Sequence, residues 1–566
     1  MAKQLRRKYY ARKVRALREG DPRNWWRNIK QITGLQSKSA EPLMALANQL
    51  HDGNTEELAT SINQYFQQVA ADLPSLNDDT LPPPPDFIPF EFTIGRAAVE
   101  RKLSRINTHK APGPDGLPNW VLRDFSTPLS GPVCAIFNAS IREGFVPTCW
   151  KEANVIPVPK IQPLKSIQSD LRPISLTPTL GKLMESFVGS WILGRIVDKL
   201  DDHQYGALKR RSTTHALVDM MHHWHSAVDA GQSVRTVFID FAKAFDHVDH
   251  NILVAKLLSL DLPDIIIRWM MSFLAHRQQR VKIGNVLSDW LEMSAGMPQG
   301  SFLGPLTFII LIDSLRASCL THKFVDDTTM SEIISKGTSS SMQTIVDDIV
   351  QQASQDAMNV NGKKTKEMLV GPINKNPPPP LTLEGTVVDR VSTFKLLGVH
   401  VADDLKWQQH VDAIASKTAS RLYYLKLLKR SGASVEDLLC FYATVVRPVL
   451  EYASPVWHTG LTVAQSDSLE SLQKRALTII FCNPDYATTL TLSGLPTLKS
   501  RREQLTFKFF RNNILNNNSC LHYLLPEQRN PDIIHKLRRA KQFEPLQTRT
   551  EKFKNSFLPY CLLNCQ

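Results

Sequence analysis

THKFVDDTTM (Thr321–Met330) places two adjacent carboxylates between an apolar aromatic run and a pair of threonines. Like charges about 4 Å apart repel by roughly 4 kcal/mol at an effective dielectric near 20, so a chain that keeps such a pair calls for a counter-ion. KFV (Lys323–Val325) and TTM (Thr328–Met330) read as two short strands, with Asp326 and Asp327 at the turn between them. A tight hairpin then presents both acids at its tip.

Upstream, SVRTVFIDFAKAFDHVDHNILVAKLL (Ser233–Leu258) changes period in the middle. Val237, Phe238 and Ile239 form an apolar β run that Asp240 closes. Ala244, Val248, Ile252 and Ala255 then fall at helical spacing. An acid at the end of a buried strand, just before a helix, projects into a crevice. Alone, Asp240 reads as a helix N-cap and the DD pair as a solvated turn. With the hairpin beside the Asp240 strand, three carboxylates converge. Oxygen-only ligands suit magnesium. Two such ions about 3.5–4 Å apart activate a hydroxyl and stabilise a leaving pyrophosphate.

Between the two lies SAGMPQGSFLGPLTFIILIDSL (Ser294–Leu315), whose glycines and prolines make a kinked loop before an apolar helix or strand. Gln299 is set to offer an amide to a base, and Gly300 lets backbone approach a flat or phosphorylated ligand.

The chain of 566 residues is long enough for three or four domain-sized units. A net charge of +13 favours a polyanionic partner, nucleic acid or an acidic membrane surface. Most of the excess sits in the first 30 residues, where eleven Lys and Arg face only Glu19 and Asp21. Tyr9, Tyr10, Trp25 and Trp26 are interleaved there, which suits phosphate contact combined with base stacking. The eight cysteines form no CxxC pair, so neither a zinc finger nor a disulfide scaffold is supported. No apolar run reaches a membrane span, the start is too polar for a secretory signal, and nothing reads as a P-loop. MHHWH (Met221–His225) lacks further ligands nearby and reads as a helix face. LPPPPDF (Leu81–Phe87) reads as a stiff spacer and NPPPP (Asn376–Pro380) as a loop between strands. From about residue 403 the pattern turns helical, with Val411, Ile414, Thr418, Leu422 and Leu425 on one face, while the tail after Asn512 is polar and basic and carries no assigned structure.

In order and spacing, these blocks resemble the reverse transcriptases of LINE-type non-LTR retrotransposons. FIDFAKAFDHVDHNIL is similar to that family's motif A, GMPQGSFLGPLTF to motif B and FVDD to motif C. KAPGPDGLP, WKEANVIPVPK, DLRPISLTPTLGKLMES and QYGALKRRSTTHAL resemble its fingers region, and FKLLGVHVADDLKW the strand pair before its thumb. The resemblance implies an α+β right-hand polymerase with fingers, an antiparallel palm sheet, a thumb, and helical N- and C-terminal extensions. Residues 1–95 would be the basic extension and linker, 96–230 the fingers, 231–402 the palm, and 403–566 the thumb and C-terminal extension, with the reverse transcriptase core at roughly 142–402. Asp240 and Asp326 would ligate two magnesium ions, or manganese, with Asp327 beside them and the Phe241 carbonyl as a further ligand. Phe245 matches the aromatic that excludes a 2′-hydroxyl. Lys160 and Arg172 match fingers cations that neutralise the incoming triphosphate.

The implied activity is an RNA-directed DNA polymerase that extends a DNA 3′-hydroxyl on an RNA template with dNTPs. It implies action in the nucleus and cytoplasm and no membrane partner. QQASQDAMNVNGKKTKEMLV (Gln351–Val370) resembles motif D, with Lys364 or Lys366 as the general acid. The helix before it is short and lacks the tryptophan the resemblance calls for, which sets a second reading beside the first: a catalytically impaired nucleic-acid-binding remnant. No endonuclease pattern precedes the polymerase motifs, so a partial element product is expected, with nicking supplied separately by the element or the host.

Overall fold

The computed structural model describes residue 29 and residues 41–77, 89–529 and 542–565. Apart from Ile29, the basic first 30 residues lie outside the described residues, as does the LPPPPDF spacer.

In chain order the strands are β1 (Glu152–Pro159), β2 (Leu171–Leu176), β3 (Ser233–Ile239), β4 (Arg277–Ile283), β5 (Val286–Leu287), β6 (Leu291–Met293) and β7 (Leu320–Phe324). They continue with β8 (Asp327–Ile334), β9 (Lys366–Val370), β10 (Thr382–Leu383), β11 (Thr386–Val387), β12 (Asp389–Arg390), β13 (Thr393–Leu396) and β14 (Val399–Ala402). The helices used below are α1 (Thr55–Gln68), α2 (Thr179–Ile196), α3 (Thr213–Asp229), α4 (His250–Ser259), α5 (Gly304–Asp313), α6 (Met342–Gln355) and α7 (Gln408–Arg430).

The α+β right-hand layout expected from the sequence is present, and its centre is a sheet in the order β12-β9-β3-β8-β7. Every residue of β3 is buried, as a strand with neighbours on both edges and layers on both faces requires. Val237 and Ile239 join a core with Phe308 and Ile309 of α5. Val234 and Phe238, on the other face, join Leu217 and Trp224 of α3. Phe238 also stacks on Phe394 of β13 with ring centroids 3.9 Å apart. The charge within this sheet is paired: Arg235 Nε donates to Glu367 at 2.6 Å and Arg390 Nε to the same carboxylate at 2.9 Å. The two guanidinium groups also reach the carbonyls of Pro379 and Pro378, which fixes the NPPPP run in its expected place between strands.

A second sheet has the order β2-β1-β4-β5, with β6 on β4. Leu58, Ile62 and Phe66 of α1 cover it, packing with Val155 and Val281. The strands β4 to β6 come from the range expected to be palm, yet β4 pairs in parallel with β1, so sheet partners cross the expected 230/231 boundary.

Helical spacing after Asp240 led to a helix over Ala244–Ala255, but the chain runs as turns until α4 begins at His250, capped by the Asp249 side chain. Lys243, at φ +51°, breaks the helix that the apolar spacing suggested. The stripe of α7 behaves as expected, with Val411, Ile414, Thr418, Leu422 and Leu425 all buried. The tail after Asn512 is more ordered than its polarity suggested: Phe543, Phe553, Phe557, Leu558, Cys561 and Leu562 are buried and join the core around α3. Among the described residues no helix is long and apolar enough to cross a membrane.

Candidate active site

β3 and β8 are antiparallel with Ile239 opposite Thr328, so Asp240 lies alongside Asp327 one step beyond that pair. β7 and β8 form the expected hairpin, closing at Phe324 opposite Asp327. The tip is therefore Val325–Asp326, and Asp327 is the first residue of β8 rather than part of the turn. Val325 holds φ +60°, a region that costs a β-branched residue about 1–3 kcal/mol. Its amide donates to Gln204 Oε1 at 3.1 Å, which anchors the strained tip. Gly206 lies so close that a Cβ there would stand 2.5 Å from the Val325 nitrogen.

The three carboxylates feel one another. Burial, with the Asp240 charge added, pushes Asp326 up, against its own backbone amide and Arg172. Burial and then the Asp326 and Asp240 charges push Asp327 up to about 6. Asp240 Oδ2 is buried without a hydrogen-bond partner. Among the described residues its ion-pair partner is Lys364, whose Nζ stands 3.6 Å away. Among the described residues no three His, Cys, Asp or Glu groups are drawn to metal-binding geometry, so the acids converge without closing into a ligand sphere. The donors are nonetheless all oxygen, one of them unpartnered and desolvated, which fits a hard divalent cation.

The chain backing Asp240 is the motif D segment. Asn361 N donates to the Asp240 carbonyl at 2.7 Å and Ala242 N to Asn359 O at 2.8 Å. These bonds flank the Phe241–Val360 pair and use neither the amide nor the carbonyl of either residue. Lys366 is turned elsewhere, its Nζ 2.6 Å from Asp389.

Lys160 and Arg172 come from facing ends of β1 and β2, both exposed. Burial lowers the Lys160 pKa, and the charges of Lys364 and Arg172 lower it further while Asp246 opposes them. Lys160, Arg172 and Lys364 therefore form one cationic cluster beside the acids. Phe245 packs on Phe308 with ring centroids 5.1 Å apart.

The motif B loop is laced to the turn after Asp240. Met297 N donates to Phe245 O at 2.7 Å and Gly296 N to Val248 O at 2.8 Å. The Gln299 side chain does not stand free: its Nε2 donates to Asp246 Oδ1 at 2.7 Å, and the Gln299 backbone carbonyl accepts from Ser175 N at 2.8 Å. Gly300 is required there, because it holds φ +125° and a Cβ would stand 2.8 Å from Ser175 O. Helix α5, which leaves this loop, ends on Lys323. That fully buried ammonium donates to the carbonyls of Ile312, Asp313 and Leu315, and Asp201 balances it at 3.1 Å.

The structure adds Asp246, Thr365 and Asn361 to the site. Only Asp246 had a local signal, as the acid directly after Phe245. The helix-face reading of MHHWH holds: His225 is buried, His222 lies against Phe553 and His223 reaches Tyr523.

A profile of the family described as "Reverse transcriptase (RNA-dependent DNA polymerase)" matches residues 158–401. The "Probable RNA-directed DNA polymerase from transposon BS" of Drosophila melanogaster is 26% identical over 430 residues, covering 72% of this chain and 47% of the relative. From the same fly, the "Probable RNA-directed DNA polymerase from transposon X-element" is 25% identical over 376 residues, covering 63% and 41%. The "RNA-directed DNA polymerase from mobile element jockey" is 24% identical over 447 residues, covering 74% and 48%. The chain spans less than half the length of each of these relatives. Among solved structures, an apo telomerase from Candida Tropicalis matches with a TM-score of 0.35 at 12% identity, over 67% of this chain and 70% of that one.

Proposed function

Since residues 158–401 are a reverse transcriptase domain of the non-LTR retrotransposon kind, we propose that the chain is an RNA-directed DNA polymerase extending a DNA 3′-hydroxyl along an RNA template. The observation that carries this reading is the strand register that sets Asp240 alongside Asp327 and beside Asp326. Asp240 and Asp326 would hold two magnesium ions, or manganese in their place, with Asp327 beside them and the Phe241 carbonyl as a further ligand. When bound, these ions supply activation of the attacking hydroxyl and stabilisation of the leaving pyrophosphate.

The chain's own side chains do the rest. Lys160 and Arg172 neutralise the triphosphate, a task for long cationic groups. Phe245 lies under the sugar and rejects a 2′-hydroxyl, while Gln299 and Gly300 form the loop against the nucleotide. Lys364 holds the proton destined for pyrophosphate; its ion pair with Asp240, against that of Lys366 with Asp389, supports this choice. The bond from Asn361 N to the Asp240 carbonyl and the bond from the Asp240 amide to Thr365 Oγ1 favour an active enzyme over an impaired remnant. RNA template, DNA primer and dNTPs are the partners, in the nucleus and cytoplasm, with a nicking endonuclease supplied by the element or the host.

The purified chain with primed RNA, dNTPs and magnesium should extend the primer. Asp326→Ala should cut the rate at least about a thousandfold, the loss of roughly 4 kcal/mol of transition-state stabilisation. Extension that survives the change defeats the assignment. Salt-dependent RNA binding without any extension by the unsubstituted chain identifies the remnant instead.

A further inference from the structure

Asp246 is the one acid among the site's cations that the roles above leave unused. It follows Phe245 directly in sequence. Its carboxylate accepts from Gln299 Nε2 at 2.7 Å and is exposed to the charges of Lys160, Lys243 and Arg172. Burial nonetheless holds its pKa up, to about 6. A carboxylate only accepts when ionised, so this bond fixes the orientation of the Gln299 amide: the NH₂ end is committed to Asp246, and Oε1 is the end left to face a ligand. The backbone around it is equally tied, since Gly296 packs so tightly on the Asp246 carbonyl that a Cβ would stand 2.7 Å away. The backbone at Phe245 is tied to the same loop by Met297 N, and the Asp246 side chain by Gln299 Nε2.

We propose that Asp246 is a positioning residue for nucleotide binding: it holds the Gln299 side chain with its oxygen toward the incoming dNTP, and it acts through Gln299 rather than on the substrate. The assignment rests on the reading of this cleft as a dNTP site, and its test separates the two.

The test uses the full chain on a primed RNA template, with two readouts: equilibrium binding of a fluorescent dNTP, and KM against kcat in steady-state extension. Asp246→Ala should weaken dNTP binding and raise KM about tenfold, the worth of one hydrogen bond to a charged group, with a smaller change in kcat. Asp246→Asn, whose amide oxygen still accepts, should stay within about threefold of the unsubstituted chain. Gln299→Ala should match Asp246→Ala, and the double variant should be no weaker than either single one, because both remove the same contact. Additive losses, an Asn variant as impaired as the Ala variant, or unchanged affinity in Asp246→Ala would each overturn the proposal. If melting shows that Asp246→Ala does not fold, the swapped pair decides. Gln299→Glu should weaken binding by setting two carboxylates together, and adding Asp246→Asn should restore it; no restoration overturns the proposal. Asp246-dependent dNTP binding without primer extension defeats the polymerase reading and keeps this one. Extension with affinity indifferent to Asp246 does the reverse.

Discussion

Lys364 carries its Nζ to 3.6 Å from Asp240 Oδ2, although Asp240 follows β3 and Lys364 stands in the turn before β9, far apart in the chain. Lys364 is largely exposed, so the pair adds little to stability; under the proposed mechanism it would place a proton donor beside the acids. Lys364→Ala should lower kcat by about a hundredfold, within the range for loss of a general acid, while Lys366→Ala should leave it near that of the unsubstituted chain. Single-turnover incorporation of one dNTP measures both. Equal losses in the two variants would remove the distinction between them.

Phe245 leans on Phe308, so its ring is braced from behind. Phe245→Val should open the space a 2′-hydroxyl needs. The ratio of kcat/KM for a dNTP over the matching rNTP should fall at least tenfold, about 1.4 kcal/mol of discrimination. Unchanged sugar selectivity would assign the discrimination to another residue.

Glu367 is fully buried between Arg235 and Arg390. Removing it leaves two guanidinium groups facing each other, one of them buried. Glu367→Ala should destabilise the fold by about 3–5 kcal/mol, read as a lower urea midpoint. A midpoint unchanged from the parent would show the sheet to be indifferent to this carboxylate.

Acid should destabilise the chain in a defined window. Burial holds His222, His250 and His410 down at about 4 and His225 at about 3. The unfolded chain takes up these protons near pH 6.5, whereas the folded chain takes them up only near pH 3–4. Their contribution is therefore complete above about pH 6.5 and is lost as pH falls toward 4. Asp246 and Asp327, both raised to about 6, act with the opposite sign, since the folded chain holds their protons more tightly. Among the described residues eight histidines are held down, against six raised carboxylates and one raised histidine, His203, so the melting temperature should drop between pH 7 and 5. His410 is packed against Trp457 with ring centroids 5.2 Å apart, and His410→Phe should flatten that slope. A slope of the opposite sign would contradict the histidine account.

The parts of the site legible in the sequence were those written locally. Asp326 and Asp327 sit in a hairpin whose strands and turn are contiguous, and Asp240 ends an apolar run whose burial is visible in Val237–Ile239. Pairing partners were not legible, because β propensity says that a segment is a strand without saying whose neighbour it is. That is why β4 was assigned to the palm while it pairs with β1. The choice between Lys364 and Lys366 needs the third dimension: Lys364 stands in the turn before β9 and Lys366 is that strand's first residue, so strand alternation does not relate them and they take different partners. In sequence Gln299 stands free to meet a base, because its partner, Asp246, lies 53 positions away. The C-terminal tail hides its anchors among polar residues, where scattered apolar side chains, Ile514 and Leu521 among them, join the core.

The buried ammonium of Lys323 is bonded to the carbonyls closing α5, and Lys323 stands in β7 three residues before Asp326 at the hairpin tip. One rigid pin thus joins the far end of the glycine loop's helix to the arm that bears the acids. A nucleotide that nudges Gln299 or Gly300 cannot do so privately. Any shift at the loop would be passed along a ten-residue rod toward the arm that carries the acids, which makes loop and acids two ends of one lever.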